Sequence, residues 1–148
     1  MADLVTNRKA RFNYEFLEEF EAGIELLGLE VPAIRAGRLS LDGSYISIRG
    51  GEAFLIGASL TPLQPKNVRG EYDTMRPRKL LLSRQDIARL AGFEAKKGLT
   101  LIPISMYNKK RHIKVHIAIA RGKKEFDKRE TLKKRESERD VQRTLKNE

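Results

Sequence analysis

The sequence predicts a mainly β protein: an OB-type closed antiparallel β-barrel with short helices between its strands, ending in a basic tail that is disordered or helical. Three observations predict it. Apolar and polar residues alternate over long runs, above all 12–27 and 112–120, the period of a strand with one buried face. Turn signals such as Gly28, Gly50-Gly51 and Thr61-Pro62 cut the chain into short pieces. From Arg121 onward the character changes: these 28 residues carry eleven Lys and Arg against seven Asp and Glu, and their only large apolar residues are Phe126, Leu132, Val141 and Leu145. That is too little apolar surface to offset the entropy of ordering the segment alone. Two parts result, a body over 1–120 and a tail over 121–148.

Taken in order, residues 1–11 are polar and read as a mobile arm, with Asn7, Arg8, Lys9 and Arg11 ahead of the first apolar run. In 12–27, Phe12, Tyr14, Phe16, Phe20, Ala22, Ile24 and Leu26 fall on one face and most of the glutamates on the other. This predicts one long half-buried strand, bent near Gly23. Glu18 breaks the pattern. In EVPAIRAG, Pro32 suits a first helical turn and Gly37 the position after a last one. Tyr45–Arg49 and Glu52–Leu60 flank Gly50-Gly51 as a hairpin, with a bulge at Gly57. Residues 63–78 form a long polar loop, a length that points to function or disorder. Lys79–Leu82 leads into a helix capped by Ser83, answered by Asp86 and closed by Gly92. Leu99–Tyr107 and His112–Ala120 are two more strands, joined by a basic turn at 108–111. Small barrels of this design bind nucleic acid on an open face and in their loops.

Composition narrows the function. A formal net charge of +10 on 148 residues, shared between body and tail, points to a polyanionic partner, nucleic acid before membrane. No run approaches the roughly 18 apolar residues of a membrane span, and MADLVTNRKARF lacks the apolar core of a secretory signal. Cys is absent, which removes cysteine-based zinc sites and thiol chemistry and fits a cytoplasmic setting. His112 and His116 would share a metal on a helix, but on a strand they stand about 13 Å apart at ~3.3 Å per residue. Glu15, Glu18, Glu19, Glu21 and Glu25 are spread along one strand rather than converging as a magnesium-dependent nuclease requires. They read as a solvated face in which one carboxylate can accept from a base amino group. Phosphate-cradling loops and nucleophile motifs are missing. The expectation is therefore no enzyme, no metal and no cofactor. Arg8 and Lys9 beside Phe12, then Arg76, Arg78 and Lys79, then Lys109, Lys110 and Arg111, set cations near aromatics and on turns, which suits RNA.

The stretches NRKARFNYEFLEEFEAGIELLGLEV, IRAGRLSLDGSYISIRGGEAFLIGASLTP, RPRKLLLSRQDI, KGLTLIPISMY and ARGKKEFDKRET, in this order over nearly the whole chain, resemble the SsrA-binding protein (small protein B) family. The resemblance implies an adaptor of trans-translation. It would bind the tRNA-like domain of transfer-messenger RNA as a monomer and deliver it to stalled bacterial ribosomes. The family's RNA contacts fall on Asn7, Arg8, Glu21, Leu81 and Lys114, with Arg8 where relatives often carry Lys. Asn7 and Arg8 would grip backbone, Glu21 accept from base amino groups, and Leu81 pack on an unstacked base. The tail would lie in the empty message channel as a helix, with Gly122, Lys123 and Lys124 as a hinge. Phe126 would stack in the decoding centre, where relatives carry Tyr or His, and Asp127, Lys128 and Arg129 follow the family pattern. The barrel would thus replace the codon-reading arm that transfer-messenger RNA lacks. A generic basic ribosome-associated protein or RNA chaperone is the alternative.

Overall fold

The computed structural model describes residues 2–63 and 72–123, together with Arg129, Leu132, Lys133 and Arg135. Its elements run β1 Asp3–Thr6, α1 Arg8–Asn13, β2 Tyr14–Ile24, α2 Glu30–Arg35, β3 Leu39–Ser40, β4 Tyr45–Arg49, β5 Glu52–Ile56, β6 Ser59–Leu60, β7 Arg78–Leu81, α3 Arg84–Glu94, β8 Leu99–Lys109 and β9 His112–Gly122. Seven strands form one antiparallel sheet in the order β1-β8-β9-β2-β7-β5-β4, and β3 pairs with β6 separately. β4, the last strand in this order, also comes close to β8.

The long period-two runs become the central strands. β2 pairs along its length with β9, and β9 with β8. One side of these strands supplies the main core, where Ala22, Leu55, Leu60, Leu80, Val115 and Ile117 are buried. The other side is divided. At one end α1 covers it, so that Ala10 packs with Ile102, Ile104, Ala118 and Ala120, backed by Tyr14 and Phe16. At the other end, among the described residues, Leu81 stays exposed, and the candidate surface lies there.

The sheet corrects the reading of 12–27. The register of β2 on β9 shifts between Phe16 and Glu18, a bulge that moves every later side chain to the opposite face. Tyr14 and Phe16 therefore share a face with Glu19 and Glu21, whereas Phe20 and Ile24 turn to the main core. Glu18, the break in the pattern, marked that bulge. The mobile arm read over residues 1–11 is also overturned: β1 pairs with β8, and Phe12 belongs to α1. Both elements are too short to leave a period in the sequence.

Smaller corrections have local causes. The strand expected over 52–60 breaks at Gly57, whose φ of 85° ends β5 and lets Ser59–Leu60 pair elsewhere. Gly92 does not close α3. The helix runs on to Glu94, held there by Phe93 packed on the core and by the Ile48 N–H, which donates to Glu94 Oε2 at 3.1 Å. β8 and β9 extend to a two-residue turn at Lys110-Arg111, with Lys110 at φ 59°. The cap itself is as expected: Ser83 Oγ accepts from the Asp86 N–H at 3.1 Å. So is the glycine after α2, Gly37, at φ 75°.

Candidate nucleic-acid interface

Directly opposed residues on neighbouring strands project from the same face of a sheet. Gly23 is opposed by Leu81 on one side and by Lys114 on the other, and Lys114 is opposed in turn by Tyr107. Glu21, two residues before Gly23, shares that face and is opposed by His116. Glu21, Leu81 and Lys114, expected as RNA contacts, thus meet at this end of the outer face. Leu81 is 51% exposed there.

The carboxylate of Glu21 is held. Tyr107 donates its hydroxyl proton to Oε2, and Lys109 Nζ donates to Oε1 at 3.0 Å. These two hydrogen bonds, with the charges of Lys109 and Lys114, hold Glu21 below the usual carboxylate range despite some loss of solvent. Burial, the hydrogen bond to Glu21 and the charges of Glu21 and Asp3 push the Tyr107 phenol up to about 12. Around neutral pH the pair is therefore a fixed anion with a donor pinned against it. The cleft beside it, about 410 Å³, is lined by Arg11, Phe20, Glu21, Tyr107 and His116 among others. The sequence did not single out Tyr107; only the β8–β9 register brings it to Glu21.

The remaining glutamates on β2 face basic side chains of neighbouring elements. Glu15 pairs with Arg121 at 2.6 Å, Glu18 with Arg89, and Glu19 stands 3.7 Å from His116 Nε2. They do not converge, and among the described residues no three His, Cys, Asp or Glu gather closely enough to hold a metal. Nor is any helix among them long and apolar enough to cross a membrane.

Other expected residues lie elsewhere. Arg8 is exposed and lines a separate cleft with Lys9 and Asp42 at the β1 edge. Asn7 is 3% exposed and spent inside the protein. Its Nδ2 donates to Pro103 O at 2.9 Å, its Oδ1 accepts from the Ala10 N–H at 3.2 Å, and its own N–H donates to Ile104 O at 2.8 Å. These carbonyls belong to the bulge in β8 between Pro103 and Ser105, so Asn7 caps α1 and satisfies the bulge at once. Asn7 is thus held inside the protein, and Arg8 beside it is left exposed. Arg76 and Arg78, counted among the RNA-facing cations, both bind Glu30, and Arg78 is fully buried. Gly122 pairs with Tyr14 in the sheet. Lys123 is tied to the body by its N–H, which donates to Asn13 O at 2.8 Å, and by Nζ, which donates to Arg11 O at 3.3 Å. Arg129, Leu132, Lys133 and Arg135 are helical, and the Arg135 guanidinium lies 5.9 Å from the centre of the Phe12 ring. Lys124, Phe126, Asp127 and Lys128 lie outside the described residues.

Fold and site together define a basic, mainly β binding module whose sheet offers an exposed face of mixed apolar and cationic character. The chain belongs to the SmpB protein family, whose model it matches over residues 4–147. It is 52% identical over 143 residues to the SsrA-binding protein of Gloeothece citriformis, covering 97% of this chain and 92% of that one. It is 48% identical over 144 residues to the SsrA-binding protein of Trichormus variabilis, covering 97% and 93%. Its structure is similar to a chain of "tmRNA-SmpB: a journey to the center of the bacterial ribosome", with a TM-score of 0.68 and 42% identity over 81% of this chain and 84% of that one.

Proposed function

We propose that this protein is an RNA-binding adaptor of trans-translation. It binds the tRNA-like domain of transfer-messenger RNA, brings it to stalled bacterial ribosomes in the cytoplasm, and catalyses nothing itself. Its relatives are SsrA-binding proteins, and its structural neighbour joins tmRNA, SmpB and the bacterial ribosome. The observation that carries the reading is the gathering of Glu21, Leu81 and Lys114 on a stretch of outer sheet that α1 does not cover.

Each group then has a task its chemistry supports. The pinned Glu21 carboxylate accepts from base amino groups. Leu81 gives an unstacked base an apolar surface, and Lys114 neutralises phosphate. Arg8, aimed by the buried Asn7, takes backbone at the β1 edge. The body is read as an OB-type barrel, a reading supported by the approach of β4 to β8. The tail, through Lys124, Phe126, Asp127, Lys128 and Arg129, probes the empty message channel and decoding centre as a helix, with Gly122 and Lys123 anchoring it to the body.

Binding to the isolated tRNA-like domain, compared with a bulk transfer RNA pool at matched salt, tests this. A clear preference for the tRNA-like domain that Glu21→Ala weakens is the expected result. Equal binding to both pools would instead make the chain a general basic ribosome-associated protein or RNA chaperone.

A further inference from the structure

We propose that α1 is the bracket that aims the tail. Its last carbonyls hold Lys123, where the chain leaves the sheet, and its seat on the sheet fixes the direction of departure. This makes Asn7 and Ala10 positioning residues for the tail, and it rests on the reading of the tail as a probe of the message channel.

The C-terminal end of a helix leaves backbone carbonyls without partners and favours positive charge beside them. α1 ends at Asn13, next to the pairing of Tyr14 with Gly122 that closes the β2–β9 ladder. Lys123, the following residue, answers both needs. Its N–H donates to Asn13 O at 2.8 Å, and its side chain turns back so that Nζ donates to Arg11 O at 3.3 Å. A ladder running on by one step accounts for the first bond. It does not account for the second, which reaches past Asn13 into the helix. Further along the chain, the Arg135 guanidinium also comes to α1, 5.9 Å from the centre of the Phe12 ring.

A helix of six residues has no stability of its own, so whatever seats α1 decides where its end points. Two side chains seat it. Ala10 is 4% exposed and packs against Ile102 and Ile104 of β8 and Ala118 and Ala120 of β9. Asn7 fastens the opposite end to β8, through its own N–H on Ile104 O and its Nδ2 on Pro103 O, while its Oδ1 caps the helix at the Ala10 N–H. α1 therefore bridges from the bulge in β8 to the end of β9. A tilt at Asn7 or a loss of packing at Ala10 is passed through the helix to the carbonyls that hold Lys123, although neither residue touches the tail.

The test uses the full chain and three measurements: amide exchange at Lys123, affinity for the tRNA-like domain, and peptide tagging at transfer-messenger RNA concentrations that saturate binding. Ala10→Gly loosens α1 without changing its surface. It should speed exchange at Lys123 by about tenfold, from lost packing and helix entropy together, while Ile117, buried in β9, stays protected. Tagging at saturation should fall with it, by a larger factor than the affinity does. Lys123→Met removes the Nζ donor and should lower tagging at saturation too, with Lys123→Arg restoring it. Asn7→Ser keeps a capping oxygen but loses the donor to Pro103 O, and it stands in for Ala10→Gly if that variant folds poorly. The inference fails if Lys123 exchanges like a free amide in the parent, if loosening α1 leaves its exchange unchanged, or if tagging at saturation survives the loss of protection. A parent that does not tag at all would sink the adaptor reading instead, and the exchange measurement would still decide whether α1 holds Lys123.

Discussion

Glu30 has no exposed surface, yet it carries charge. Burial alone would raise its pKa. Hydrogen bonds from Arg76, Tyr72 and the Leu27 N–H, with the charge of Arg78, override that and hold it at about 2. Arg78, equally buried, spends all five of its donors: Nε on Glu30 at 2.9 Å, Nη1 on Ala58 O at 3.1 Å and Arg76 O at 3.2 Å, Nη2 on Tyr72 at 2.9 Å and Thr74 O at 3.2 Å. The guanidinium is therefore the post around which 72–77 is wrapped. Because the folded-state pKa is depressed, the stabilisation is present above the ordinary value of 4.5 and lost as pH falls toward 2. Urea midpoints should stay level from pH 7 to about 5 and then drop, and Glu30→Gln should flatten that acid limb. At pH 7 the same substitution should cost ~3–5 kcal/mol, the usual result of stranding one partner of a buried pair; a loss under ~1 kcal/mol would mean the cluster is replaceable. Nothing local announces this pairing, since Glu30 and Arg78 stand 48 residues apart. Asn7 was hidden for the same reason: its burial depends on a carbonyl of β8, 96 residues away.

Elements were legible where pattern or cap chemistry is local. The alternation of β2 and β9, the Gly50-Gly51 hairpin and the Ser83 cap could be read from neighbours within a few residues. Elements that exist only because a distant strand accepts them, such as β1 and the β3–β6 pair, could not. The bulge in β2 is an intermediate case: Glu18 breaks the period in the sequence, but only the register on β9 shows that the break is an inserted residue and so decides which face Phe16 takes. α3 offers two checks of opposite sign. Ser83→Ala removes the acceptor for the Asp86 N–H and should cost ~1 kcal/mol. Gly92→Ala should stabilise by about 0.5–1 kcal/mol, because Gly92 sits inside the helix at ordinary φ with nothing within 4 Å of an added Cβ. Thermal melts of both variants read this directly, and a destabilised Gly92→Ala would mean that α3 is strained near its end.

At the scale of the molecule, the question is where the folded body stops. Composition changes at Arg121, but the sheet does not. Arg121 opposes Glu15 and Leu99, Gly122 opposes Tyr14, and Lys123 reaches back to Asn13 and Arg11. A chain ending at Lys123 keeps every one of these contacts. It loses the approach of Arg135 to the Phe12 ring, so it should melt close to the full chain and bind the tRNA-like domain nearly as well, with a smaller salt slope for the cations removed. A chain ending at Ala120 loses the last pairs of β9 together with the Arg121–Glu15 bridge and should melt lower. Both should fail to support peptide tagging of stalled chains, because the segment that would probe the message channel is gone from each. The two truncations thus separate the stability of the sheet from the work of the tail. Tagging by the chain ending at Lys123 would overturn the tail's part in the mechanism while leaving the proposed RNA face untouched. Equal melting of the two chains would move the edge of the body back to where the charge begins.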